Sequence, residues 1–215
     1  MTYRAVVFDM DGTILDTLED MKRSVNAALA AEGFPPRTLD EVRHFVGNGN
    51  RRLVERAVPE GTEADAVERV FRGFHAQYRA HCMDHARVYP GIPALLARLR
   101  AAGIRTAVVS NKADYAVKLL AERFFPGLLD AAAGEKEGVR RKPAPDGVLA
   151  VLAALGVPPA EAVYVGDSEV DIETARNAGL PCLSVTWGFR PEAYLIRQGA
   201  GRIVRTAEEL GALLL

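Results

Sequence analysis

The side chains that could do chemistry stand at a few points along the chain, most of them directly behind a short apolar run. Asp9 and Asp11 follow Ala5-Val6-Val7-Phe8, Ser110 and Asn111 follow Ile104–Val109, and Asp167 follows Ala162–Val165 through Gly166. Lys142 lies in the polar stretch Arg140-Arg141-Lys142-Pro143-Ala144-Pro145-Asp146. Carboxylates brought to close range repel one another, so one must keep a proton or a cation must neutralise them. Oxygen-only ligands suit Mg²⁺, which keeps several waters and a substrate phosphate in its shell. The expected protein ligands are the Asp9 and Asp167 side chains with the backbone carbonyl of Asp11, and Lys142 is the expected fixed positive charge beside Asp9. Ser110, followed by Asn111 at an expected helix start, offers a hydroxyl and unpaired amides to phosphate oxygens.

Such a set suits phosphoryl transfer, in which positioning and charge neutralisation dominate. Asp9 is the expected nucleophile, attacking phosphorus in line to give an aspartyl phosphate. Asp11 is expected to protonate the leaving oxygen and then to activate the water that hydrolyses the intermediate.

These residues can meet only if the elements between them bring them together. The short apolar runs, stopped by Asp, Gly or Ser, read as buried strands; Leu183–Trp187 and Arg202–Val204 add two more. Between them the apolar period is helical. Ala94, Leu95, Leu99 and Ala102 fit one helix ended by Gly103; Ala116, Leu119, Leu120 and Phe124 fit a second; Val148, Leu149, Leu152 and Leu155 fit a third ended by Gly156. The alternation predicts an α/β fold, a parallel sheet covered by helices on both faces. In open parallel sheets, ligands bind beyond the carboxyl ends of the strands, where Asp9, Asp11, Ser110 and Asp167 would gather.

Residues 17–85 break the alternation. Leu18, Met21, Val25 and Leu29 follow one helical stripe, and Val67, Val70, Phe71, Phe74 and Tyr78 another, with no convincing strand among them. The expectation is an all-helical insert at 17–85 between core segments 1–16 and 86–215, with the chain re-entering the core near Tyr89-Pro90-Gly91.

Four segments in order, FDMDGTILDT at Asp9, SNK at Ser110, RKPAPD at Lys142 and VGDSEVDIETARNAG at Asp167, resemble the four motifs of the haloacid dehalogenase superfamily and span nearly the whole chain. The resemblance implies a Rossmann-like core, the roles given above, and support of the metal by Asp171 from beyond its immediate ligands. It also implies that the insert is a small helical cap. Val46–Ala57 and the SNK triplet further resemble the phosphoglycolate phosphatase-like subgroup, which makes 2-phosphoglycolate the first substrate to expect. On that reading Gly47, Asn48, Gly49 and Arg51 bind substrate. Within the family, a phosphatase for a sugar phosphate, a nucleotide or pyrophosphate, or a sugar phosphomutase, is the alternative; SNK and GDSEVD favour hydrolysis. Asp11 disfavours a dehalogenase, which needs no general acid two residues after the nucleophile. A protein that kept the fold only to bind is the remote alternative.

Blander readings stand beside several of these. Asp171 could simply favour a helix N-terminus, Gly47 and Gly49 could mark a turn between helices, and Arg140 and Arg141 could be a solvated surface pair. His81 and His85 read as an exposed helix end rather than a metal pair, and Trp187 as a packed aromatic near Gly188-Phe189.

Composition narrows the partners. The 215 residues carry 27 basic and 28 acidic side chains, a formal net charge of -1. That balance offers no broad electrostatic footprint for nucleic acid, though a small anionic phosphorylated metabolite needs only a few local charges. No apolar stretch approaches membrane-spanning length and no secretory signal is evident, so the expected location is the cytoplasm. Cys82 and Cys182, far apart and outside any CxxC pattern, are expected to be reduced. A monomer or a homodimer is expected.

Overall fold

The computed structural model describes residues 3–215, which divide into two compact units. The first holds the residues up to Leu15 together with Val88–Leu215; the second is Asp16–Arg87.

The first unit is built on a six-stranded parallel sheet of order β5-β4-β1-β6-β7-β8. Its strands are β1 (Ala5–Phe8), β4 (Arg105–Ala113), β5 (Ala131–Glu135), β6 (Ala162–Gly166), β7 (Cys182–Val185) and β8 (Arg202–Val204), while the short strands β2 (Leu15–Asp16) and β3 (Arg87–Val88) pair with each other. Every residue of β1 is fully buried, which a four-residue run of apolar side chains allows only in a strand covered on both faces. Helices α5 (Ile92–Ala101), α6 (Asp114–Phe124), α7 (Asp146–Leu155), α8 (Glu169–Ala178), α9 (Glu192–Arg197) and α10 (Ala207–Leu214) follow the strands. One core cluster joins Ala5, Val7, Val109, Val148, Leu152, Tyr164 and Ala175, and so locks β1, β4 and β6 against α7 and α8. The architecture is the α/β arrangement that the alternation predicts, with the Rossmann-like core that the resemblance implies.

The strand over Ile104–Val109 runs further than its apolar residues do. It continues through Ser110-Asn111-Lys112 to Ala113, past a shift in register between Val109 and Ala113 against β5. Such a bulge lets a strand carry polar residues at its end without leaving the sheet. β5 itself, Ala-Ala-Ala-Gly-Glu, has no β-branched residue and carries no strand signal in the sequence.

The second unit holds four helices, α1 (Leu18–Ala31), α2 (Leu39–Phe45), α3 (Gly49–Ala57) and α4 (Ala64–His81). Leu18, Met21, Val25 and Leu29 of α1 are buried, as are Val70, Phe74 and Tyr78 of α4, where the Phe74 and Tyr78 rings stack at 5.4 Å. Thr38 caps α2 through a reciprocal pair with Glu41: the Thr38 N–H donates to Glu41 Oε2 at 2.7 Å, and the Glu41 N–H donates to Thr38 Oγ1 at 3.2 Å.

Candidate active site

β1 lies between β4 and β6, with Phe8 in register with Val108 on one side and Val165 on the other. The residues that follow these three strands therefore emerge together at one edge of the sheet. The Asp9 N–H donates to Val165 O at 2.9 Å, which fixes the start of the loop. Asp9 Oδ1 accepts from the Met10 N–H at 2.6 Å and lies 3.0 Å from Lys142 Nζ. Lys142 Nζ also lies 2.8 Å from Asp171 Oδ1 and donates to the Tyr164 hydroxyl at 3.0 Å. Carboxylate oxygens of Asp9, Asp167 and Asp171 all lie within 4.8 Å of one another. Residues 158 positions apart in the chain are thus brought to one point, and the convergence foreseen for Asp9, Asp167 and Lys142 is present.

Each member is held by its own element. Asp167 Oδ1 accepts from Thr13 Oγ1 at 2.9 Å and Oδ2 from the Phe189 N–H at 2.7 Å. Gly12 has φ +84° and a Cβ there would sit 2.7 Å from the Asp167 carboxyl carbon, so the loop after β1 needs glycine at this point for both reasons. Asp171, in the first turn of α8, accepts on Oδ2 from the Ser168 N–H at 3.0 Å, the Ser168 hydroxyl at 2.6 Å and the Asp167 N–H at 3.2 Å. Asp171 thus stands at the helix start with one oxygen on the N-cap residue, and its other oxygen faces Lys142. Asn111 Nδ2 donates to Lys142 O at 2.9 Å and ties the lysine's backbone to β4. The Tyr164 hydroxyl donates to Val109 O at 3.1 Å while accepting from Lys142.

Electrostatics follow from crowding in a buried place. Burial raises Asp9 to about 7; Lys142 opposes this, and the negative charges of Asp171 and Asp11 add to it. Burial likewise lifts Asp167 well above the usual carboxylate range, with Asp171 and Asp9 contributing. For Lys142 burial works against the charge, yet Asp171 and Asp9 outweigh it and hold the ammonium well above its ordinary range. Three carboxylates thus face one ammonium, and the cluster is short of positive charge. Its donors are all oxygens, so the residues fit a hard divalent cation.

The other expected residues sort clearly. Ser110 and Asn111 do not stand at a helix start, because β4 continues to Ala113 and α6 begins only at Asp114. Both are buried in the strand, and Ser110 Oγ lies 3.4 Å from the Lys112 N–H. Arg140 pairs with Asp146 in solvent. Gly47 and Asn48 form a turn that leads into α3 from Gly49, within the helical unit. Arg51, on α3, lies 2.8 Å from Glu68 and 4.6 Å above the Phe71 ring, both on α4. His81 ends α4 beside Asp84, whereas His85 lies beyond the helix and contacts buried Asp20 through both its N–H and Nδ1. Trp187 packs as expected, its Nε1–H donating to Thr13 O at 3.0 Å.

Four contributors escaped the sequence reading. Tyr164 sits inside an apolar run and reads as core. Thr13 and Ser168 are small polar residues next to the motif aspartates. Lys112 closes the SNK triplet, and its Nζ lies 2.7 Å from Asp11 Oδ2; its nearness to Ser110 was the one available signal.

The family model for haloacid dehalogenase-like hydrolases matches residues 3–179, which include every member of this cluster. The chain is 34% identical over 212 residues to an N-acetylmuramic acid 6-phosphate phosphatase of Pseudomonas aeruginosa, covering 98% of this chain and 94% of that protein. It is 36% identical over 188 residues to a phosphoglycolate phosphatase of Xanthomonas campestris pv. campestris, covering 87% and 85%. A crystal structure from Lactobacillus delbrueckii subsp. bulgaricus, provisionally described as a phosphoglycolate phosphatase, superposes with a TM-score of 0.95 at 40% identity and covers 100% of this chain and 99% of its own. Since the family model spans the strand ends that gather the carboxylates, and the similarity to these relatives extends over nearly the full length, the chain belongs to the haloacid dehalogenase-like hydrolases.

Proposed function

We propose that the protein is a Mg²⁺-dependent phosphatase that hydrolyses a small phosphomonoester through an aspartyl phosphate on Asp9, with 2-phosphoglycolate the first substrate. The observation that carries this reading is the position of Lys142 Nζ, 3.0 Å from Asp9 and 2.8 Å from Asp171, inside a buried cluster completed by Asp167.

Asp9 Oδ1 is engaged by Met10 and Lys142, and among the described residues no donor reaches Oδ2, which leaves that oxygen open to a reacting group. In the first step a bond forms between an Asp9 oxygen and phosphorus as the ester P–O bond breaks. The Asp11 carboxyl gives its proton to the departing oxygen. In the second step the Asp11 carboxylate takes a proton from water as the water oxygen bonds to phosphorus, and Asp9 leaves as a carboxylate with inorganic phosphate as product. Lys142 stays charged throughout, held by Asp171, and faces the charge that develops beside Asp9. Asp171 has both oxygens engaged by protein donors, so its role is to hold Lys142 and the start of α8, while Asp9, Asp167 and the Asp11 carbonyl would hold Mg²⁺. The bound ion supplies charge neutralisation for the transferring phosphoryl group. Ser110 would take a phosphate oxygen, and Asn111 positions Lys142 through its carbonyl.

The choice of 2-phosphoglycolate draws on the Xanthomonas campestris relative. A sugar phosphate is the second reading, favoured by the Pseudomonas aeruginosa relative, which matches a larger share of this chain. Among the described residues no helix is long and apolar enough to cross a membrane, and Cys82 and Cys182 are not joined in a disulfide. A cytoplasmic location is part of this proposal. The test is phosphate release by the purified protein from a panel that includes 2-phosphoglycolate, N-acetylmuramic acid 6-phosphate, glucose 6-phosphate and pyrophosphate. The expected outcome is Mg²⁺-dependent release, fastest with 2-phosphoglycolate and abolished by EDTA. Isomerisation of glucose 1-phosphate without free phosphate would replace hydrolysis by mutase chemistry.

A further inference from the structure

The chain's one tryptophan stands on the loop behind β7, and packing alone does not account for how it is used. Trp187 is half-buried, with its ring centre 6.4 Å from that of Tyr89. A phenylalanine ring would make that contact too. What phenylalanine lacks is the indole N–H, which Trp187 donates to Thr13 O at 3.0 Å.

The loops on either side of that bond both hold Asp167. Thr13 gives its hydroxyl to Asp167 Oδ1 at 2.9 Å, and Phe189, just beyond Trp187, gives its N–H to Oδ2 at 2.7 Å. One donor belongs to the loop after β1 and the other to the loop after β7, and the indole N–H ties the two loops together. Between them Gly188 lies so near that a Cβ would collide with Gly12 O and stand 2.5 Å from the Asp167 carboxyl carbon, an approach only glycine allows. Asp167 has reason to need such a grip. It is buried, with carboxylate oxygens of Asp9 and Asp171 within 4.8 Å, and like charges at that range push one another apart. A carboxylate without anchors has other rotamers to turn to, whereas one that accepts a fixed donor on each oxygen stays aimed at its neighbours.

We propose that Trp187 is a positioning residue of the metal site: by tying the loop after β7 to the loop after β1 it holds both donors on Asp167, and so sets the affinity for the divalent cation without touching it. Hydrogen-bonding partners behind metal ligands commonly change affinity by about 10–100-fold, and Trp187 acts one step further back, which places its effect at about tenfold. The inference rests on the reading of Asp9 and Asp167 as Mg²⁺ ligands, and the experiment separates the two.

Metal-free protein is titrated with Mn²⁺, the unbound ion is counted by electron paramagnetic resonance, and Mg²⁺ is added as competitor. The wild type binds one ion, and Asp167→Asn loses it. Trp187→Phe, which keeps an aromatic ring and drops the donor, raises Kd for both ions by about tenfold. Thr206→Ala is the control for stability: it removes the cap of α10, where Thr206 Oγ1 accepts from the Glu209 N–H at 3.1 Å, and lowers the melting temperature without moving Kd. Because the chain has a single tryptophan, growth on the analogue whose ring N–H is replaced by sulfur changes this position alone. The same rise in Kd is expected there, which keeps the test available if the phenylalanine variant does not fold. An unchanged Kd in Trp187→Phe or in the sulfur analogue, or a rise in Kd shared by Thr206→Ala, would overturn the proposal. A wild type that binds no ion, or binds it no better than Asp167→Asn, overturns the metal reading, and the proposal with it.

Discussion

At Asp9 the cost of burying a carboxylate becomes a dependence on pH and metal. Its value of about 7 lies far above the ordinary 3.8 of an exposed aspartate. A proton held more tightly in the fold than in the unfolded chain stabilises the fold; that contribution is complete below the ordinary value and is lost as pH rises through about 7. Metal-free protein should therefore melt lower than Asp9→Asn at about pH 8, with the difference shrinking towards about pH 5, and Mg²⁺ should restore the wild type at the higher pH. A difference that does not change with pH would show that Asp9 carries no displaced proton. Binding of the ion should release protons, seen as a dependence of calorimetric heat on the buffer's ionisation enthalpy. Gly12→Ala should abolish activity and cost about 1–3 kcal/mol in denaturant titration, from the left-handed backbone alone. Asp9, Asp11, Lys142 and Asp167 were legible because carboxylates directly behind buried strands, with one lysine, leave few chemistries open. Tyr164 was not, because a tyrosine within Ala162–Gly166 differs from a core residue only in where its hydroxyl points.

Elements carry the next level of the design. The start of α8 and the active site share one residue, since Asp171 caps the helix with one oxygen and pairs with Lys142 through the other. Ser168→Ala should cost about 1 kcal/mol, as the loss of a helix cap does. Asp171→Ala should cost more, about 3 kcal/mol, because it also takes from the buried Lys142 ammonium one of its two carboxylate partners. Chemical denaturation of the two variants would separate these effects, and equal losses would contradict the double role. The other five strands of the sheet and the helices α5, α6 and α7 could be read from apolar periods, yet β5 could not. Ala131-Ala132-Ala133 has no strand preference, and only pairing with β4 from Ala107↔Ala131 onwards makes it a strand. The expected helix start at Ser110-Asn111 failed for a related reason: three polar residues can remain in a sheet when a bulge and Gly134 accommodate them, and no local rule in the sequence announces that.

For the whole molecule, a net charge of -1 sets no long-range field for a polyanion, and the cations of the site are spent on its own carboxylates. Discrimination should accordingly favour small phosphoesters over nucleic acid, with a weak dependence on ionic strength. The substrate-binding role proposed for Gly47, Asn48, Gly49 and Arg51 is tested by Arg51→Ala, which should raise KM for 2-phosphoglycolate with little change in kcat; an unchanged KM would leave Arg51 to its contacts with Glu68 and Phe71. The central claim, a covalent phosphoryl group on Asp9, is tested most directly by rapid acid quench during turnover followed by mass spectrometry of the peptide around Asp9. One phosphoryl group on Asp9, absent from Asp9→Asn, is the predicted result. Rapid phosphate release with no label on that peptide at any time, or a label on another residue, would contradict it.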